Sequence, residues 1–295
     1  MNIDTAMPSE LPDDLPWKQT VGLLLDALQV KDLLQRIYEW SPAPQLSVLY
    51  QGTQWAELGR LSPCLVRVHD RDDPVLSQFL KHAQEAWGYL LVSDRPWDEL
   101  VAHMRWLTSF QPPDADEMFL RISDPAVAHA LFAADHGPGL DLFGPCEQVF
   151  IASSTLQGWT HFKRPGDSIV MHYGKPFMAN DAQWAALKGV ASGKAIARLY
   201  RHIRRFFPEY RAELSAGQRL EHIHQLARSA VEKGFESEQE IWLYTNVFGL
   251  LGDDVLERHP DIARLLNVRC TMSPLQRANS AATLAAQRRA AEHAG

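Results

Sequence analysis

Hydrophobic and polar positions along the chain follow two different rhythms. In the first half, short apolar runs alternate with stretches of helical spacing. The runs at 21–27 (VGLLLDA), 45–50 (QLSVLY), 63–68 (PCLVRV) and 87–93 (WGYLLVS) predict strands. So do 118–123 (MFLRIS), 147–153 (EQVFIAS) and 159–163 (WTHFK). Between them, 30–40, 74–86, 93–107 and 125–134 carry apolar residues at helical spacing, as with Val75, Phe79, Leu80 and Ala83. Strands separated by helices predict an α/β lobe with a central mixed sheet over residues 1–163. The segment 164–180 has two prolines, two glycines and no period, which predicts a link. Beyond it, over 181–295, the pattern is helical and predicts an all-helical lobe. Ile196, Leu199, Tyr200, Ile203 and Phe207 share one face of a helix over 196–207. A helix over 215–234 ends at Gly234, and one over 237–252 is apolar on more than one face, as expected of a buried centre. The segment 273–292 is alanine-rich with Ser273 and Pro274 at its start, which favours helix. Its two large aliphatic residues, Leu275 and Leu284, point to opposite sides, so only light anchoring is expected there.

Composition adds little to this picture, and charge adds something. The 295 residues are 46% hydrophobic and 22% charged, ordinary for a globular chain. No apolar run reaches the roughly 18–20 residues that span a bilayer, so no membrane association is expected. The acidic, proline-broken start lacks the pattern of a secretory signal. Cys64, Cys146 and Cys270 stand far apart with no metal-ligand spacing, which points to a reduced, cytoplasmic chain. The net charge of −7 is uneven: residues 1–180 hold 13 Lys+Arg against 23 Asp+Glu, and residues 181–295 hold 16 against 13. Neither part has the basic excess that nucleic-acid binding calls for.

No catalytic, cofactor or metal motif survives inspection. "GVASGKA" at 189–195 has the outline of a phosphate-binding loop. It is one residue short, lacks the Mg²⁺-holding hydroxyl and follows no strand. "HDRDD" at 69–73 lacks the glycine and distal glutamate of a calcium loop. His222 and His224 lie two apart on a helix and cannot share a metal. "SDP" at 123–125 reads as a joint: Asp124 caps a helix and Pro125 takes its first position. Arg121, just before it, reads as half of a structural ion pair rather than a reacting group. His103 and Arg105 are two apart on a helix, point to different sides and read as structural. Arg105 and Arg121 are both suited to a carboxylate, internal or on a partner. Arg198, Arg201, His202 and Arg205 form a second stripe on the helix 196–207, opposite its apolar face. That stripe is either a solvated helix side or a docking face for an acidic partner.

Six short pieces, in order over roughly residues 20–163, resemble the adaptor-chaperones that load effectors onto the VgrG spike of bacterial type VI secretion systems. They are Leu24-Leu25-Asp26, Pro63 to Val68, Ala86-Trp87-Gly88 with Ser93, and His103-Met104-Arg105. They continue with Arg121 and Asp124-Pro125 followed by Val127, and end with Phe143-Gly144-Pro145. Val21-Gly22 stands where an aromatic residue is usual, and Met104 replaces a leucine. The helical region is similar, more loosely, to the extension many of these proteins carry. The resemblance implies a non-enzymatic cytoplasmic adaptor whose partners are a type VI effector and VgrG, with no cofactor. It leaves Trp87, Gly88, His103, Arg105, Arg121, Asp124 and Pro125 with structural roles. The competing expectation is a small-molecule enzyme with an α/β lobe and a helical cap, which would need a polar cluster in a cleft at the strand ends.

Overall fold

The computed structural model describes residues 11–12, 15–113, 115–134, 142–152, 158–166, 173–267 and 271–294. The described chain forms two compact units, Met1–Val190 and Ala191–Gly295.

Unit 1 is built on a six-stranded sheet. Its chain order is β1 (Thr20–Leu25), α1 (Leu33–Trp40), β2 (Leu46–Val48), a 3-10 helix (Ala56–Leu61), β3 (Cys64–Val68) and α2 (Pro74–Lys81). Then come β4 (Gly88–Ser93), α3 (Trp97–Trp106), β5 (Ser109–Gln111), β6 (Met118–Phe119), α4 (Pro125–Ala133), β7 (Cys146–Ala152), β8 (Trp159–Lys163) and β9 (Phe177–Met178). The main sheet has the order β2-β3-β1-β4-β7-β8, and a small one has the order β6-β5-β9. The α/β class of this lobe is as the pattern predicts, but the sheet is not mixed. Among the described residues every pairing in it is antiparallel, and the one parallel pair, β5 with β9, lies in the small sheet. The reason lies in β1. It pairs antiparallel with both β3 and β4, so those two run the same way and α2 crosses over the strand between them.

Side chains alternate across this sheet into two cores. Leu24, Leu65, Tyr89, Leu91, Val149 and Ile151 pack with α3 and α4 on one face. Leu23, Leu25, Val66, Leu90, Val92 and Phe150 pack with α1 and α2 on the other. Burial on both faces explains why the strands read as unbroken apolar runs, a pattern that reports coverage and not strand direction. Of the stretch 118–123, only Met118 and Phe119 are strand; the rest is a turn leading into α4.

Unit 2 follows within α5 (Asp181–Phe206), whose residue 190/191 step divides the two units. Phe177 and Ala179, in the stretch read as a link, are buried in the first core together with Leu187. The remaining helices are α6 (Ala216–Glu232), α7 (Glu238–Leu251), α8 (Val255–Arg258), α9 (Pro260–Asn267) and α10 (Pro274–Ala294). Capping boxes start α6 at Ser215/Gln218 and α7 at Ser237/Glu240. The glycines of "GVASGKA" lie inside α5, with helix on both sides of them.

The expectation of a lightly anchored C-terminal helix is overturned. Ala278, Ala281 and Ala285 of α10 are fully buried in the core of unit 2. Arg277 lies over the Phe235 ring at 4.6 Å and donates to the Lys233 carbonyl. Small side chains at i, i+3 and i+7 let α10 approach closely, and the larger residues of α7 and α9 fill the contact. Counting large aliphatics on α10 alone misses area contributed by its neighbours.

Candidate functional site

Most of the recognised pieces take part in two polar knots inside unit 1. Asp26, at the end of β1, is buried, with its side chain 2% exposed. One carboxylate oxygen accepts from Arg121 Nε at 2.8 Å and from the Ser123 hydroxyl at 3.0 Å. The other accepts from the Leu28 amide at 2.7 Å. The Asp26 amide donates to the Trp87 carbonyl, and the Trp87 ring stacks on His82 at 4.1 Å and on Trp40 at 6.0 Å. Arg121 also reaches Asp124 at 3.4 Å, and Asp124 caps α4 by accepting from the Ala126 amide at 3.0 Å. Pro125 fills the first position of α4 and is buried. The turn over 120–123 therefore has a physical purpose. It swings Arg121 to a carboxylate 95 residues earlier and places the cap for the next helix.

A second knot joins His103 to the Phe143-Gly144-Pro145 piece. His103 is fully buried and donates from Nε2 to the Leu142 carbonyl at 3.0 Å. Gly144 has φ +47, and a Cβ there would sit 2.5 Å from the His103 ring, so only glycine fits. Arg164 clamps the same turn, donating to the Gly144 and Cys146 carbonyls and to Asp94 at 2.7 Å. Arg105, two positions further along α3, is half-buried. Its Nε is buried with no hydrogen-bond partner among the described residues.

Burial lowers the His103 pKa to about 4. Between pH 4 and 6.5 the unfolded chain then binds the extra proton. The contribution of neutral His103 is complete above about pH 6.5 and is lost as pH falls toward 4. Urea melts of the wild type should lose a few kcal/mol across that window. His103→Gln should be less stable at pH 7 and flatter with pH. An unchanged pH slope in that variant would remove His103 as the source.

The arginine stripe on α5 is divided by its surroundings. Arg198 forks onto Glu238 at the start of α7, Nε to Oε1 at 2.9 Å and Nη2 to Oε2 at 3.2 Å. His202 faces α7, with Nε2 2.8 Å from Asn246 Oδ1 and its ring 4.5 Å from Trp242. Arg201 and Arg205 remain exposed, Arg205 over the ring of Phe206 at 5.3 Å.

Two features escaped sequence reasoning. In unit 1, α1 and the 3-10 helix form the walls of a groove of about 340 Å³. Leu34, Val48, Gly59, Arg60 and Ser62 are among its lining residues. Leu34 and Tyr38 lie one turn apart on α1 and are exposed, as are Leu28, Leu58 and Leu61. In unit 2, Asp253 gathers Arg211, the Tyr210 hydroxyl and, at 3.3 Å, His222 Nε2. Burial, with the neighbouring carboxylate next, raises the Tyr210 phenol well above its ordinary value. That cluster ties the loop after α5 to the end of α7, and only His222 was visible beforehand, as part of a histidine pair.

Cys64 and Cys146 are buried, free thiols whose pKa values burial pushes up to about 12, which disfavours the reactive thiolate. Cys270 lies outside the described residues. Among the described residues no group of three or more His, Cys, Asp or Glu is placed to hold a metal. No helix among them is long and apolar enough to cross a membrane.

The described residues form an antiparallel sheet covered on both faces and tied by internal polar contacts, followed by a helical unit. Residues 23–137 match the family model described as a domain of unknown function, DUF4123. The chain is 28% identical over 276 residues to the accessory protein VasW of Vibrio cholerae serotype O1, covering 93% of this chain and 90% of that protein. No solved structure matches. Both findings support the type VI secretion adaptor family indicated by the motifs, and an adaptor role in that system. They point to an accessory family and not to a known enzyme family.

Proposed function

We propose that the chain is a cytoplasmic adaptor that binds a type VI effector and delivers it to the VgrG spike. The observation that carries this reading is the groove beside α1, within the matched residues 23–137. Leu34 lines it, Arg60 and Gln35 supply polar edges, and Leu28, Tyr38, Leu58 and Leu61 are further exposed apolar side chains on or next to the same two helices. An apolar surface with a polar rim suits a protein partner, and its burial on binding is favourable at about 25 cal/mol per Å² before association costs.

Deletion of the gene should stop secretion of one effector while other type VI effectors still leave the cell. The purified chain should form a complex with that effector, and Leu34→Glu/Leu58→Glu should weaken the complex at least tenfold without unfolding the chain. Unchanged secretion of every effector in the deletion strain would overturn the adaptor reading. A complex indifferent to both substitutions would remove the groove from it.

A further inference from the structure

We propose that the exposed side of α5 in unit 2 binds an acidic, amphipathic segment of the effector, with Arg201 and Arg205 holding its carboxylates and Phe206 its apolar anchor. This rests on the adaptor reading above and adds the chemistry of the bound segment.

Geometry selects these three residues from the longer stripe. Arg198, His202 and Phe206 follow one another at i, i+4 and i+8 on α5. The first two are engaged by α7, through Glu238 and through Asn246 with Trp242. Phe206, next in that row, is 58% exposed, high for a large aromatic residue. Arg201 and Arg205 lie beside the row, one turn apart, and both are exposed. Arg201 has a weak contact at 3.4 Å to the Ala197 carbonyl in its own helix. Arg205 lies over the Phe206 ring. Neither guanidinium forms an ion pair among the described residues.

The neighbouring contact shows what such a guanidinium takes. Glu238 meets Arg198 as a fork, with both carboxylate oxygens used. Two further guanidiniums one helical turn apart match two carboxylates one turn apart on a partner helix. The aromatic ring at their edge asks for an apolar residue between those carboxylates. Charge complementarity also argues against a polyanionic nucleic acid. Glu238 stands at the start of α7 beside this row, and residues 181–295 exceed neutrality by only three positive charges.

The test uses the full chain and a labelled synthetic helical peptide with glutamates at i, i+4 spacing around one leucine, followed by fluorescence anisotropy. The wild type should bind it, with affinity falling as salt rises. Arg201→Glu/Arg205→Glu and the milder Arg201→Gln/Arg205→Gln should each weaken binding, the reversal by about tenfold or more. Phe206→Ser should weaken it by about threefold to tenfold while leaving the salt dependence intact. Thermal unfolding midpoints of all variants should match the wild type, because the three side chains are exposed. Four results would overturn the proposal. They are no binding by the wild type, equal affinity in both arginine variants, equal affinity for the glutamine version of the peptide, and tighter binding of duplex DNA than of the peptide. The measurement needs neither effector nor spike, so its failure leaves the adaptor reading to stand on secretion, and failed secretion leaves this surface to stand on the peptide.

Discussion

Gly88→Ala should prevent the chain from folding to a stable native state. Gly88 opens β4 opposite Leu25, where the backbone of β1 passes close. A Cβ at this position would sit 1.8 Å from the Leu24 carbonyl oxygen and 2.9 Å from its carbon. Neither is the end of a flexible side chain, so relief requires the two central strands to separate. Those strands carry Leu23, Leu24, Leu25, Leu90 and Leu91, all fully buried, and their separation opens both cores at once. The expected cost exceeds about 4 kcal/mol, a large share of the total stability of an ordinary domain. The measurement is the soluble yield and the thermal melt of the variant, beside Gly193→Ala as a control. A Cβ at Gly193 meets nothing within 4 Å, and that residue lies inside α5. The control should therefore be neutral or stabilising by about 0.5–1 kcal/mol. A Gly88→Ala protein that melts like the wild type would mean that the β1–β4 approach leaves room for a Cβ.

The Trp87-Gly88 pair illustrates what a sequence discloses. The strand is evident from its apolar run. The need for glycine is not, because the obstructing carbonyl belongs to a strand more than 60 residues earlier. The same limit governs the arginines. Arg121 could be read as half of an ion pair, but its partner Asp26 lies 95 residues away. Arg198 and His202 looked free on a helical wheel, and α7 answers them from 40 and 44 residues further on. Local chemistry was more legible. The Asp124-Pro125 start of α4 follows from capping alone and forms as expected. Strands of two or three residues, β5, β6 and β9, have too few positions to show a period and were missed or overextended. The buried alanines of α10 defeat any reading that equates core with large side chains. The groove beside α1 was invisible for a related reason. Leu34 and Tyr38 look like any other apolar residues of a helix until the structure leaves them uncovered.

Arg121→Met should destabilise the chain by about 3 kcal/mol or more, and the loss should come from the carboxylate it abandons. Asp26 is almost wholly buried, and its remaining partners would be the Ser123 hydroxyl and the Leu28 amide. A buried charge stripped of its counter-ion costs about 3–5 kcal/mol. Removing the charge as well should recover part of that. Asp26→Leu/Arg121→Met should be more stable than Arg121→Met alone, because an apolar pair of similar volume no longer needs compensation. The single Asp26→Asn variant should fall between them, since its one carbonyl oxygen can still accept from the Leu28 amide, while the NH2 that replaces the other oxygen faces the Arg121 donor. With Asp26→Leu added, urea melts of the wild type, Arg121→Met, Asp26→Leu and the double variant form a cycle whose coupling energy reports the pair directly. Two outcomes would count against a structural Arg121. One is wild-type stability in Arg121→Met. The other is loss of effector binding in that variant with its melt unchanged, which would move the guanidinium, 24% exposed, from the framework to the docking surface. Retained binding by the folded fraction of Arg121→Met would instead place the recognised motifs where the geometry has them, holding the sheet in shape while other residues meet the partner.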